Sequence, residues 1–281
     1  PTGDPDCKVG CKRRHKRLPA PLAITPTREG KSAASLPVSV GEFYWGYASG
    51  IVVTKVADWG EFVLAELTQT FDHGETTYFF PLMAQTERRL GFRPLYGALD
   101  AGFDAFYVYD FFHSPQHTGF AAVPFAEKGG NGRRQFDAAG LPLCAAGLPM
   151  PLKFTYMDRT TTIIPYRRAK HVCPLLFPEP NGLVCPIEHH NWGKGGCSTS
   201  LADTPGARIR HQLDRQSDAY HLVYDQRTAS ERIFSQAVDL GMERPKLRNQ
   251  AAIANQNTLI YLLINLRALQ RVLAQRAKST S

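Results

Sequence analysis

Two stretches of the chain, "EFYWGYASGIVVTKV" and "EFVLAELTQ", are dense in aromatic and β-branched residues that suit a pleated surface. Between them "ADWG" places Gly60 where a tight reversal favours a residue without a Cβ, so residues 42–69 predict a β-hairpin. The period then changes. In "TTYFFPLMAQTERRLG", Phe79, Leu82, Met83, Thr86 and Leu90 recur near helical spacing, Pro81 suits a first turn, and Gly91 stands where a helix C-cap would. "LYGALDAGFDAF" predicts a short strand ending at Asp100, "AFYVYDFFHS" a helix started by Asp104 as a cap, and "GFAAVPF" a further strand. The order strand, strand, helix, strand, helix, strand implies an α/β mixed sheet covered by helices.

Residues 128–207 break the pattern with frequent Gly, Pro and Cys and short apolar runs. "KFTYMDRTTTIIPYRRAKHVCPLLF" reads as strands, and the segment is expected to be an inserted β-rich subdomain. An amphipathic helix follows at 223–241, with Ser217 or Asp218 available as N-cap. "ERPKLRNQ" ends it, and "AAIANQNTLIYLLINLRALQRVLAQRA" predicts a long second helix. The apolar face of that helix, Ile260, Leu263, Leu266 and Val272, is expected to pack on the sheet. No repeat of the kind that marks a solenoid is present. The division is a basic arm at 1–41, two parts of a core at 42–127 and 208–281, and the insertion at 128–207.

Charge narrows the choice of partner. The 33 Lys and Arg against 25 Asp and Glu give a net charge of +8, which favours a polyanion such as nucleic acid. "CKVGCKRRHKR" concentrates that charge in what reads as a flexible or loosely docked arm, or else a solvated tail. The longest apolar run, "TLIYLLINL", falls far short of the roughly 20 residues of a bilayer span, so no membrane role and a cytoplasmic setting are expected. Six cysteines in such a chain suggest metal binding or simple burial rather than disulfides. Cys173, Cys185, His189 or His190, and Cys197 are candidate zinc ligands. The competing reading makes Cys173 and Cys185, each followed by Pro, small buried residues. Cys7 and Cys11 form a weaker pair.

Asp100, at the end of an apolar strand and before a Gly, occupies a sheet edge where ligands dock in α/β folds, although turn-forming Asp residues are common there. Tyr224, Arg227 and Glu231 fall at i, i+3 and i+7 and so project from one helical face. An Arg–Glu pair four apart is, on the bland reading, a surface ion pair. A carboxylate facing a strand-end carboxylate can instead share a pair of Mg²⁺ ions. Arg227 would then hold phosphate oxygens and Tyr224 stack on an unpaired base. Arg208 and Arg210, with Arg167, Arg168 and Lys170, flank the insertion and could line a DNA path, or form a solvated face.

The spacing of Tyr224, Arg227 and Glu231 resembles the Tyr-Arg-Glu signature of DDE-type bacterial insertion-sequence transposases. "ALDAGFDA" resembles their second-aspartate segment, and "RPKLRNQAAIANQNTLIYLLINLRALQR" is similar to their C-terminal regions. The likeness runs in order from about residue 42 to residue 273. It implies a ribonuclease-H-like, retroviral-integrase-like core in which Asp100 is the second acid and Glu231 the third. It also implies Mg²⁺ as cofactor, double-stranded DNA at transposon ends and targets as partner, a homodimer in the DNA complex, and a bacterial nucleoid setting. Val238 stands where the family often carries a Lys, seven residues after the Glu. The first Asp is expected before the hairpin. Asp4 and Asp6 alone precede it, in "TGDPDCKVG", which does not read as an acid-bearing strand, so that acid is expected upstream of Pro1 and the chain is expected to be inactive alone. The alternatives are an inactive DNA-binding remnant of a transposase and a zinc-stabilised interaction module.

Overall fold

A computed structural model describes residues 3–13, 41–113, 119–126, 132–160 and 163–279. It is mixed α/β. Strand β1 (Lys8–Arg13) pairs antiparallel with the first residues of β2 (Gly41–Val56), and β2 pairs antiparallel with β3 (Gly60–Thr70). The expected hairpin therefore forms, with Asp58 and Gly60 at positive φ in its turn. A register shift at Val52/Val53 leaves Leu64 as an extra residue on β3. The basic arm is corrected in part: Lys8–Arg13 is a sheet strand, while residues 14–40 lie outside the described residues.

Helix α1 (Phe79–Leu90) ends as its sequence predicts: Gly91 is left-handed at φ 77° and its N–H returns to the Glu87 carbonyl. β4 (Tyr96–Ala98) and β5 (Phe120–Ala122) flank helix α2 (Phe106–Phe112) and pair parallel. The single mixed sheet expected from the element order is not what forms. Among the described residues β1-β2-β3 and β4-β5 are separate sheets, and the third sheet, β6 (Leu152–Asp158), β7 (Tyr166–Val172) and β8 (Ser198–Ala202), is antiparallel. That third sheet lies within residues 128–207, so the segment is β-rich as its composition suggested. Its boundary at 207 falls inside helix α3 (Pro205–Gln212), which the sequence reading overlooked.

Helix α4 (Asp218–Tyr224) starts at an N-cap Ser217 whose side chain accepts from the Tyr220 N–H, as expected. A 3₁₀ turn at Asp225–Arg227 joins it to α5 (Thr228–Asp239), so the unbroken helix foreseen over 223–241 is two helices with a tighter turn between them. α6 (Gln250–Ser279) closes the chain. No helix among the described residues is long and apolar enough to cross a membrane.

Among the described residues, the two largest of four apolar clusters join the helices to the sheets. Phe79 and Met83 of α1 pack with Tyr107, Val108 and Phe111 of α2 and with Val123 after β5. Ile233 and Ala237 of α5 pack with Ile260, Tyr261 and Ile264 of α6 and Val63 of β3. α6 also covers the outer edge of β3: Asn265 accepts from the Val63 N–H at 2.8 Å and donates to the Val63 carbonyl at 2.9 Å, as a neighbouring strand would. That contact fixes the helix rotation. Ile260 and Val272 turn inward as expected, but Leu263 and Leu266 point outward and do not pack on the sheet.

Gly206 shows how closely α3 meets α2. A Cβ there would stand 2.1 Å from the Phe106 carbonyl oxygen, while its N–H donates to Asp110 Oδ1 at 2.7 Å. Gly206→Ala is expected to cost about 1–3 kcal/mol by forcing the helices apart. Urea unfolding against the parent chain checks it, and a loss within ~0.5 kcal/mol would show that the approach is relaxed at little cost.

Candidate functional site

Asp100 is positioned by backbone geometry. Leu99 still donates to the Ala122 carbonyl at 3.1 Å, and one residue later the chain enters a 3₁₀ turn at Ala101–Phe103, whose Phe103 N–H bonds the Asp100 carbonyl at 2.9 Å. The Asp100 carboxylate thus leaves the end of the parallel strand pair toward solvent.

Arg227, the last residue of the 3₁₀ turn Asp225–Arg227, reaches it. Its Nη1 donates to Asp100 Oδ1 at 3.0 Å and lies 2.8 Å from Glu231 Oε1, one helical turn on. The two carboxylates therefore converge on one nitrogen from different elements, although they are 127 and 4 residues from Arg227 along the chain. The i,i+4 ion pair of the bland reading is present, and it extends to the strand end. Burial opposes the charge on Arg227 most strongly, but Asp100 and Glu231 outweigh it and hold the guanidinium above its ordinary pKa. The Tyr224 ring lies 5.8 Å from the guanidinium carbon and stacks on Tyr220 at 5.6 Å. All four residues singled out in the sequence, Asp100, Tyr224, Arg227 and Glu231, thus meet at one place.

Beside them opens a cavity of about 800 Å³ lined by Ser49–Lys55 of β2, Tyr96–Asp100, and Leu222, Arg227 and Phe234. Past Gly46 the edge of β2 opposite β3 has no strand partner among the described residues.

Asp4 and Asp6 are elsewhere. Asp4 accepts from the Tyr47 hydroxyl at 2.9 Å, and Asp6 accepts from the Gln250 N–H at 3.0 Å, at the start of α6. The basic residues proposed for DNA separate. Arg210 is turned inward, donating from Nε and Nη2 to the two oxygens of Asp104 at 3.0 and 2.6 Å, so it does not line a surface path. Arg208 is exposed, its guanidinium lying against Gly140. Arg167 pairs with Asp203 at 2.9 Å, Arg168 with Asp158 at 3.1 Å, and Lys170 sits over the Phe154 ring.

Of the zinc candidates, Cys173 and Cys185 are buried in a small apolar cluster that Cys197 joins. Burial, with Cys173 and Cys144 nearby, pushes the Cys197 thiol up to about 12, as expected of a packed thiol. The His189 ring lies 4.4 Å from that of His190, tilted by 32°, and its Nδ1 accepts from the Asn191 N–H at 3.1 Å. No group of three His, Cys, Asp or Glu poised to hold a metal is present among the described residues.

A second polar cluster has no counterpart in the sequence motifs. Asp104, expected as a helix cap, is instead fully buried: it accepts from the Tyr109 hydroxyl and the Ala126 N–H, each at 2.7 Å, as well as from Arg210. Arg215 donates to the same hydroxyl at 2.8 Å and to the Val123 carbonyl at 2.8 Å. An Asp among aromatic residues was the only available signal.

Compared with known proteins, the chain matches no family model, no curated protein and no solved structure.

Proposed function

We propose that this chain carries the larger part of a DDE-type transposase core that cuts and joins double-stranded DNA by metal-assisted phosphoryl transfer. One observation carries the reading: Asp100 and Glu231, chosen as second and third acids from their motifs, share a single guanidinium in space. The β-rich segment between them and the two-stranded parallel pair below Asp100 suit a ribonuclease-H-like core with an insertion.

The donor chemistry fits Mg²⁺ as far as it goes. Both side chains offer hard carboxylate oxygens, and the pair already draws a cation, Arg227, between them. Two acids fall short of the three that the reading requires, so the site is incomplete on the described residues. Bound ions would activate a water or a 3′ hydroxyl and stabilise the leaving oxygen.

The protein's own groups have distinct tasks. Arg227, released from the carboxylates as they take up metal, would clamp a phosphate through its planar fork. Tyr224, held by Tyr220, would present its face to an unpaired base. Asp100 and Glu231, on the end of a strand and the first turn of α5, would hold their oxygens on rigid elements.

The test is divalent-dependent nicking of an end-labelled DNA duplex by the chain, supplied with an acid-bearing strand peptide where needed. Glu231→Ala is expected to lower the rate at least tenfold while leaving thermal unfolding unchanged. Cleavage that survives in that variant would overturn the reading. An inactive DNA-binding remnant would instead bind duplex without nicking it under any of these conditions.

A further inference from the structure

Helix α6 buries one face against β3 and α5, yet its opposite face is lined with leucine. Leu259, Leu262, Leu266, Leu269 and Leu273 follow one another at intervals of three, four, three and four residues, and all are 42–65% exposed. Leu263 lies beside them. This is the 3.5-residue repeat of a coiled-coil seam, and it falls on the side of the helix away from Ile253, Ile260, Ile264, Ala268 and Val272, which are buried in the protein's own core. An outward row of leucines fifteen residues long is more than the scattered apolar side chains of an ordinary surface.

We propose that this seam pairs with the same seam of a second copy of the chain, α6 beside α6, parallel and in register. The reasoning starts from self-complementarity. A strict a/d leucine row is matched by another helix with the same repeat, and the parallel arrangement stacks all five leucines in five layers. The antiparallel registers that pair these leucines match only four of the five: one sets Leu259 against Arg276, which already lies over the Trp59 ring of its own chain at 4.4 Å, and the other sets Leu273 against Asn255. Within the five leucine layers charge does not oppose the pairing: Leu263 and Gln270, and Thr258 and Asn265, flank them without like charges to repel. Area suffices as well. Six half-exposed leucines with the stems around them would remove on the order of 1,000 Å² from water over both copies, the lower bound for a specific interface. The helix is ordered beforehand by its inner face, so pairing carries little of the folding cost that makes short isolated coiled coils marginal. The seam stands apart from the Asp100–Arg227–Glu231 site, and the proposal does not depend on what that site does.

The experiment is the mass of the full chain in solution, by light scattering on a sizing column across a range of concentrations up to about 100 µM, where weak pairs with Kd near ~10 µM would be populated. The parent chain is expected at twice its 31.2 kDa. Leu266→Glu is expected at the monomer mass with an unchanged circular dichroism spectrum, because its side chain lies outside the core. Leu262→Gln and Leu269→Gln together supply the milder second variant and should weaken association at least tenfold. Leu266→Cys, oxidised by a low-molecular-weight disulfide, should cross-link copies if the seam is parallel and in register. A parent chain monomeric throughout the range overturns the proposal, as does a dimer that survives both sets of substitutions. A dimer broken by them but not cross-linked through residue 266 overturns the parallel register.

Discussion

Asp104→Ala is expected to destabilise the fold by about 3–5 kcal/mol, the cost of removing one partner from a buried ion pair. The Asp104 side chain has 0% exposure and takes two hydrogen bonds from Arg210, one from Tyr109 and one from the Ala126 N–H. Alanine would leave the Arg210 guanidinium without its counter-charge, and Arg215, joined through Tyr109, without the group that anchors its partner. Replacing the whole cluster with apolar residues could cost far less, because the loss comes from the charges left behind rather than from the pair's net worth. Guanidinium unfolding of the variant at neutral pH checks the figure, and a change under ~1 kcal/mol would show that water reaches and solvates the abandoned arginines. The effect should also reach the site. Asp104 donates its N–H to the carbonyl of Ala101, the residue next to Asp100, so loosening it loosens the turn that aims the strand-end acid.

Acid is expected to unfold the protein in two separable stages, the first owed to His211. Burial above all, then the charges of Arg210 and Arg134, hold this imidazole down at about 4, with Asp104 pulling weakly the other way. The Arg134 main-chain N–H donates to its Nδ1 at 3.1 Å and Arg210 Nη1 lies 3.4 Å from its Nε2, so donors face both ring nitrogens and leave no acceptor for a second proton. A group depressed in the fold binds protons more readily in the unfolded chain. Stability is therefore complete above about pH 6.5, the unperturbed histidine value, and falls as the pH drops toward 4. The whole descent amounts to roughly 3 kcal/mol at about 1.4 kcal/mol per unit. Carboxylates act lower on the scale: Asp158, bonded by Thr160 and Arg168, is held at about 2, and its contribution goes only below its ordinary range. Urea unfolding at pH 7, 5.5 and 4.5 should show the first stage, and His211→Gln should flatten it. A parent chain equally stable at pH 7 and pH 4.5 would contradict the burial assigned to this ring.

The parts of the fold legible in the sequence were those governed by neighbours in the chain. The hairpin, the Gly91 cap, the Ser217 cap and the switch to β structure after residue 128 each follow from local period or a single cap residue, and each is present. What failed depended on tertiary contact. α6 is apolar nearly all round, so periodicity could not tell its inner leucine-free stripe from its outer leucine row; Asn257 and Asn265, bonded to Thr68 and Val63, settle the rotation. Arg210 looked like the other surface arginines until Asp104 claimed it. The candidate site was legible for the opposite reason: three of its residues sit on adjacent turns, where spacing alone puts them on one face, and Asp100 was marked by its place at a strand end.

The segment that carries the third sheet leaves and returns through a clasp. Asp104, Asp110 and Ala126 lie before it, Gly206, Arg210 and Arg215 at its return, and hydrogen bonds join the two groups directly. The chain entropy of closing that long excursion is thus met at its neck. Ile163 and Ile164 also pack against the core of α1 and α2, and the Tyr166 ring lies 4.5 Å from Phe106, so a change in the length of that sheet would be felt first at α2 and only through it at the strand end below.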